Sequence, residues 1–302
     1  MRTYIKPAVT MAAYLHHPMP KVPPPPPAHV RQFKSTTRIG SPMISRAPDL
    51  TSPPAYTVVP RPMDRHAEAK MVLNYGPLFE TGGPKKEDVN QGATGDCYLL
   101  ATLAAIAEKQ PHLIESMIMP VDRTNTEYDV LFHLPNRGHQ ENPLRLSLRV
   151  FSTNYLSPEL EPVYAHNKEG HHSHWVTLLE HWFAKVNDRL EFFGRGTGYD
   201  GIGHGGVPHV PYYLITGRSM TMGTTSSGMS RFREALKTAD DGGIVVVGTN
   251  PDVQSKKLVG SHAYTVVSTS PSGAQLYNPW GETVELSWAE LYRNIGAYWV
   301  GD

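Results

Sequence analysis

The chain of 302 residues is 39% hydrophobic and 19% charged, which is a globular average, and its 28 Lys and Arg balance 28 Asp and Glu. The balance hides a split: up to Arg65, nine basic residues stand against Asp49 and Asp64, and the rest of the chain is acidic by the same margin. A single cysteine excludes an internal disulfide, no stretch approaches the ~18 apolar residues of a membrane span, and no nucleic-acid partner is expected.

Residues 1–66 form a basic, proline-rich N-terminal segment. Fourteen of the 27 prolines fall in the first 63 residues, including Pro18, Pro20 and the run at 23–27, while Gly40 is the only glycine there. Without a 3.6 or 2.0 period such a segment cannot offset its ordering entropy, so disorder with polyproline II stretches is expected. Lys21 beside the proline run suits an SH3-like or WW-like groove, and a solvated spacer or delivery leader is the competing reading. Residues 1–28 have no apolar run long enough for a signal peptide, which points to a cytoplasmic protein, with delivery as a non-classically secreted effector left open.

From Ala67 the composition turns globular, with turns at Tyr75-Gly76-Pro77 and Thr81-Gly82-Gly83-Pro84. In Gln91-Gly92-Ala93-Thr94-Gly95-Asp96-Cys97 a glycine-bearing turn runs into an apolar stretch with Leu99, Leu100, Leu103 and Ile106 at helical spacing. Asp96 is an N-cap type and Gln110-Pro111 ends the helix, so Cys97 falls in its first turn. There the free N–H groups and the helix dipole favour an anion, which predicts a lowered thiol pKa and a nucleophilic thiolate. A small buried hydrophobe is the plainer role for a lone cysteine. Gln91 is placed to turn its amide to the sulfur and form an oxyanion hole with the Cys97 N–H.

A second short helix is expected near residues 114–119, then two strands at 128–134 and 144–150 as a hairpin. His171-His172-Ser173-His174, with His166 and His181, invites a zinc reading, but consecutive histidines in a loop lack ligand geometry, so a solvated loop is expected. Leu178, Leu179, Phe183 and Val186 mark the core face of a helix that ends at Asn187-Asp188. Seven glycines within residues 194–206 lack the Lys-Ser/Thr of a phosphate loop. A helix at 230–236 and five strands at 243–248, 264–268, 274–277, 283–286 and 297–300 complete the chain.

The segment Gly260-Ser261-His262-Ala263-Tyr264-Thr265-Val266 sets a histidine at the head of one strand, and Leu276-Tyr277-Asn278-Pro279-Trp280-Gly281 ends the next on an asparagine. Cys, His and Asn in this order resemble papain-type proteases. The segments around Gln91 and Cys97, around His262, at Asn278-Pro279-Trp280-Gly281 and at Trp175-Val176-Thr177-Leu178-Leu179-Glu180 resemble four ordered motifs of the calpain catalytic domain, over residues 84–280. Tyr98 stands where calpains carry Trp, and Ser261 where they usually carry Gly.

The resemblance implies a two-lobed papain-like α+β fold over residues 67–302, with a helical Cys lobe at 67–217 and a β-rich His/Asn lobe at 218–302. It implies a cysteine endopeptidase acting on protein or peptide substrates. Cys97 is the nucleophile in an ion pair with the base His262, Asn278 holds the imidazole, Gln91 serves the oxyanion, and Trp280 covers the His–Asn contact. An acyl or amide transferase or deamidase with the same triad, and a non-catalytic scaffold acting through the proline-rich segment, stay as alternatives. The chemistry requires no cofactor. By the same resemblance Asp88 and Glu180 match the acidic ligands of one calpain Ca2+ site, while Val284 stands where the second site needs a glutamate, so at most one Ca2+ is expected.

Overall fold

A computed structural model describes residues 69–121, 123–135, 143–167, 172–191 and 196–302. The proline-rich segment, His171, Gly194 and the hairpin turn at 136–138 lie outside these residues. Strand β1 (Lys70–Leu73) pairs antiparallel with β5 (Thr153–Leu156). Helix α1 (Cys97–Lys109) is followed by α2 (Pro111–Met117), which Pro111 opens at its first position. The second helix thus starts and ends earlier than its spacing suggested, and the chain turns at once into β2 (Ile118–Pro120). The expected hairpin forms from β3 (Glu127–Leu134) and β4 (Leu144–Phe151), in register from Glu127 opposite Phe151 to Leu134 opposite Leu144.

Helix α3 (Trp175–Leu190) continues past Asn187-Asp188 and stops where Glu191 takes a left-handed φ of 44°. Its buried residues run from Trp175 to Ala184 without a break and include Glu180 and His181, so more than one face of the helix is core. Two short helices follow, α4 (Gly198–Gly203) and α5 (His209–Thr216). The glycine-rich stretch, which lacks the pattern of a phosphate loop, contains a helical turn. Gly206 is needed for space, since a Cβ there would lie 2.5 Å from the ring of Tyr98, which fills the position calpains give to Trp.

The other half is a six-stranded antiparallel sheet. Its strands are β6 (Thr221–Thr224), β7 (Ile244–Thr249), β8 (Ala263–Thr269), β9 (Gly273–Asn278), β10 (Glu282–Ser287) and β11 (Ile295–Gly301), in the order β10-β9-β8-β7-β11-β6. Helices α6 (Met229–Lys237) and α7 (Trp288–Asn294) bury Phe232, Leu236, Trp288 and Leu291 with apolar residues of this sheet, Val245 and Val247 among them. Residues Cys97 to Ala107 of α1 are all buried, and such a helix must be covered on every side. It packs on β8 and β7 from one lobe and on α3 from its own, so the Cys97 end of the helix lies where the two halves of this papain-like α+β fold meet. Among the described residues no helix is long and apolar enough to cross a membrane.

Candidate active site

Cys97 is the first residue of α1. Its Sγ is fully buried and accepts the main-chain N–H of Ala263 at 3.2 Å, the residue after His262. The contact joins positions 166 residues apart. A second tie, from Thr265 Oγ1 to the Ala101 carbonyl at 2.6 Å, fixes α1 along β8.

His262 stands at the head of β8, its N–H donating to Thr249 Oγ1 at 2.9 Å while its carbonyl accepts the Thr249 N–H at 2.9 Å. Its Nε2 lies 2.8 Å from Asn278 Oδ1. The same oxygen accepts the Trp280 N–H at 3.1 Å, so it is an acceptor and Nε2 is the donor. Nδ1 is then the ring nitrogen free to exchange a proton. The Trp280 ring packs against the imidazole at 4.6 Å between centroids, tilted by 36°, and Tyr264 meets the imidazole edge-on at 5.0 Å.

The site is dry. Burial pushes the Cys97 thiol well up, against the weaker pull of the Ala263 N–H, and pushes His262 down to about 4 despite its bond to Asn278. The lowered thiol pKa expected from the helix start is therefore not what this arrangement favours. With Cys97 at 0% and His262 at 3% exposure, losing water costs the charged forms more than the local donors return, which favours the neutral thiol and the neutral imidazole in the closed site.

Gln91 lies just upstream, its N–H donating to the Pro279 carbonyl at 2.7 Å, one residue past Asn278. Its Nε2 donates to the Thr94 carbonyl at 2.6 Å and reaches Asp96 Oδ1 at 3.5 Å, while Oε1 is buried without a donor among the described residues. Asp96 occupies the N-cap position but does not cap: the Leu99 and Leu100 N–H groups bond its main-chain carbonyl, and its carboxyl turns inward to that of Glu180. Burial raises the pKa of both acids, that of Glu180 further because Asp96 is its neighbour, so the pair favours a retained proton over two buried charges. Both Glu180 oxygens also accept the Ala165 N–H, at 3.0 and 3.1 Å.

The calcium pairing is not assembled by these contacts. The acid facing Glu180 is Asp96, whereas Asp88 Oδ2 receives the Trp175 indole N–H at 2.7 Å and the Lys85 N–H at 3.0 Å. With Glu180 turned to a neighbouring acid and the Ala165 N–H, and Asp88 Oδ2 tied to two N–H donors, the two carboxyls do not fit a shared divalent cation as they stand. Among the described residues no group of three or more His, Cys, Asp and Glu is placed to hold a metal. The histidine-rich stretch is only partly the solvated loop expected of it. His174 is fully buried, with Nε2 3.1 Å from Tyr128 Oη, and burial lowers both His174 and His181 to about 4. The inward role of Asp96 and the Ala263 N–H on Sγ were missed; the Asp directly before Cys97 was the available sign of the first, and no side chain signals the second.

The fold and this site define a papain-like cysteine protease domain. The model of the calpain family of cysteine proteases matches residues 60–299, and the chain belongs to that family. It is similar to the calpain-2 catalytic subunit of Gallus gallus, 27% identical over 236 residues that cover 74% of this chain and 32% of the relative. The human calpain-8 and the human calpain-1 catalytic subunit are each 26% identical, with 74% of this chain and 31% of theirs covered. The chain thus spans about a third of the length of the relatives it matches.

Proposed function

We propose that the chain is a cysteine endopeptidase that hydrolyses peptide bonds in protein substrates through Cys97, His262 and Asn278. The observation that carries this reading is the 2.8 Å contact from His262 Nε2 to Asn278 Oδ1, with Cys97 Sγ held on the very next residue of the same strand. On a peptide carbonyl, Cys97 Sγ forms the new C–S bond as its proton passes to His262 Nδ1, and the imidazolium then protonates the leaving amine. Water resolves the thioester by the reverse proton path. Gln91 and the Cys97 N–H serve the developing oxyanion, a contribution of about 3 kcal/mol per donor. Substrate entry brings polar groups into a site that is dry at rest, and that is the condition for the neutral pair to become thiolate and imidazolium.

The nucleophile is a thiolate and the base an imidazole, so the reaction is written without a metal. The catalytic unit extends over residues 67–302 and divides near residue 217, where the helical half passes to the sheet. Cleavage of casein or a fluorogenic peptide by the wild type, abolished in Cys97→Ala, tests the reading. Release of ammonia without new amino termini would identify a deamidase instead.

A further inference from the structure

Asp96 and Glu180 are buried acids that the proposed chemistry does not use, and they lie directly behind the oxyanion loop. We propose that they act as positioning residues that keep the Gln91 amide turned with Nε2, not Oε1, on the acceptor side: the Thr94 carbonyl takes one N–H at 2.6 Å, and the second, met only loosely by Asp96 Oδ1 at 3.5 Å, is the one passed to the reacting carbonyl. The inference rests on the peptidase reading above and deepens it.

An amide side chain has two faces of opposite polarity, and nothing in its shape selects one. Here the selection comes from acceptors: the Thr94 carbonyl at 2.6 Å and Asp96 Oδ1 at 3.5 Å both face Nε2. Turned over, the amide would set Oε1 against these two oxygens, and at a site 9% exposed no water would screen the repulsion. Asp96 is held in turn. Its carboxyl faces Glu180, whose two oxygens take the Ala165 N–H and which also accepts from Tyr199.

The main chain at residues 163–166 closes the arrangement. Ala93 N–H donates to the Val163 carbonyl at 2.8 Å, His166 N–H to the Asn90 carbonyl at 3.0 Å, and Thr177 Oγ1 on α3 to the Ala165 carbonyl at 3.0 Å. Gly92 fits between because a Cβ there would fall 2.4 Å from the main chain of residues 163 and 164. The loop that carries Gln91 is therefore pinned to a segment that α3 pins through Glu180 and Thr177. Asp96 connects the two layers from the side of Cys97.

A four-protein cycle tests this: wild type, Gln91→Ala, Asp96→Ala and the double variant, assayed on one fluorogenic peptide. Alanine removes the acceptor outright, whereas asparagine could turn its Oδ1 to Nε2 and its NH2 to Glu180 and keep the contact. The expected result is a fall in kcat of about tenfold or more for Asp96→Ala with KM changed less than about threefold, and less than about twofold further loss when Gln91 is already absent. Alkylation of Cys97 by iodoacetamide, which forms no oxyanion, should proceed at the wild-type rate. An equal loss of kcat in both backgrounds would overturn the proposal while leaving the peptidase reading intact. A wild type that is alkylated but cleaves no peptide overturns both. If Asp96→Ala does not fold, Asp96→Ser, which keeps a polar group inside but is too short to meet Nε2, carries the same cycle with the same two outcomes.

Discussion

Asn278 Oδ1 accepts twice, from His262 Nε2 at 2.8 Å and from the Trp280 N–H at 3.1 Å, so one oxygen sets both the tautomer and the plane of the imidazole. In the proposed mechanism the asparagine acts by orientation alone, so its loss should cost less than loss of either partner in proton transfer. Cys97→Ala and His262→Ala are each expected to lower kcat by about 10^4-fold or more, and the double variant by no more than the worse single one. Asn278→Ala should lose about 10- to 100-fold. Steady-state kinetics on a fluorogenic peptide check the order, and an Asn278→Ala loss as large as that of His262→Ala would contradict it.

The strand that delivers His262 begins from a strained residue. Ser261 has a φ of 51°, in the left-handed region, and its N–H still bonds the Asn250 carbonyl at 3.1 Å. The glycine usual at this position in calpains is thus explained by the backbone, since only glycine enters that region freely. A β-branched side chain there is expected to destabilise by about 1–3 kcal/mol. Ser261→Gly should fall within about 1 kcal/mol of the wild type, because relief of strain is offset by the freer unfolded chain. Urea unfolding of Ser261→Val and Ser261→Gly measures the difference, and equal midpoints would mean that the loop relaxes instead.

Much of this architecture was legible because the relevant signals are local and apolar. The mostly apolar run from Tyr98 to Ala107 signals a covered helix, the β-branched run after His262 signals a buried strand, and Leu276 and Tyr277 between turn residues signal the next one. What was not legible depended on polar contacts between distant segments. Asp96 has the chemistry of an N-cap, yet tertiary pairing with Glu180 outcompeted the local bond. The direction of the Cys97 shift failed for a related reason: the helix start is visible in sequence, but the degree of closure that dries it is not. Ser287 and Glu290, which form a reciprocal capping box at α7, carried a local signal that went unread.

The buried histidines set the acid side of the stability profile. His174, His181 and His262 are lowered to about 4 in the fold, against about 6.5 in the unfolded chain. Between these values the unfolded state binds more protons, so each contributes stability that is present above about pH 6.5 and lost as pH falls toward 4, by about 1.4 kcal/mol per pH unit. Asp96 and Glu180, raised in the fold, act with the opposite sign over part of the same range, so the comparison must be differential. His174→Gln should lose stability at pH 7 through the Tyr128 contact, and the gap to wild type should narrow as pH falls to 4.5. Urea midpoints at pH 7, 6, 5 and 4.5 decide it, and a constant gap would show that His174 does not titrate with folding.

Calcium gives the sharpest contrast between resemblance and geometry. If Asp88 and Glu180 held one ion, Glu180 would have to leave Asp96 and the Ala165 N–H, and Asp88 would have to turn to the ion while its Oδ2 stays tied to Trp175 and Lys85. Breaking those contacts sets a cost that binding must exceed before any affinity appears. The expected outcome is that calorimetric titration of CaCl2 into the Cys97→Ala protein gives no saturable one-site heat at sub-millimolar ion, and that thermal unfolding is the same in Ca2+ and in EDTA. Binding would be unmistakable in the second measurement, since an ion at about 100 times its Kd adds about 2.7 kcal/mol. A one-site isotherm lost in both Asp88→Ala and Glu180→Gln would overturn the prediction and show that the acid pair opens to admit the ion. Heat that persists in both variants would place any bound Ca2+ elsewhere on the chain.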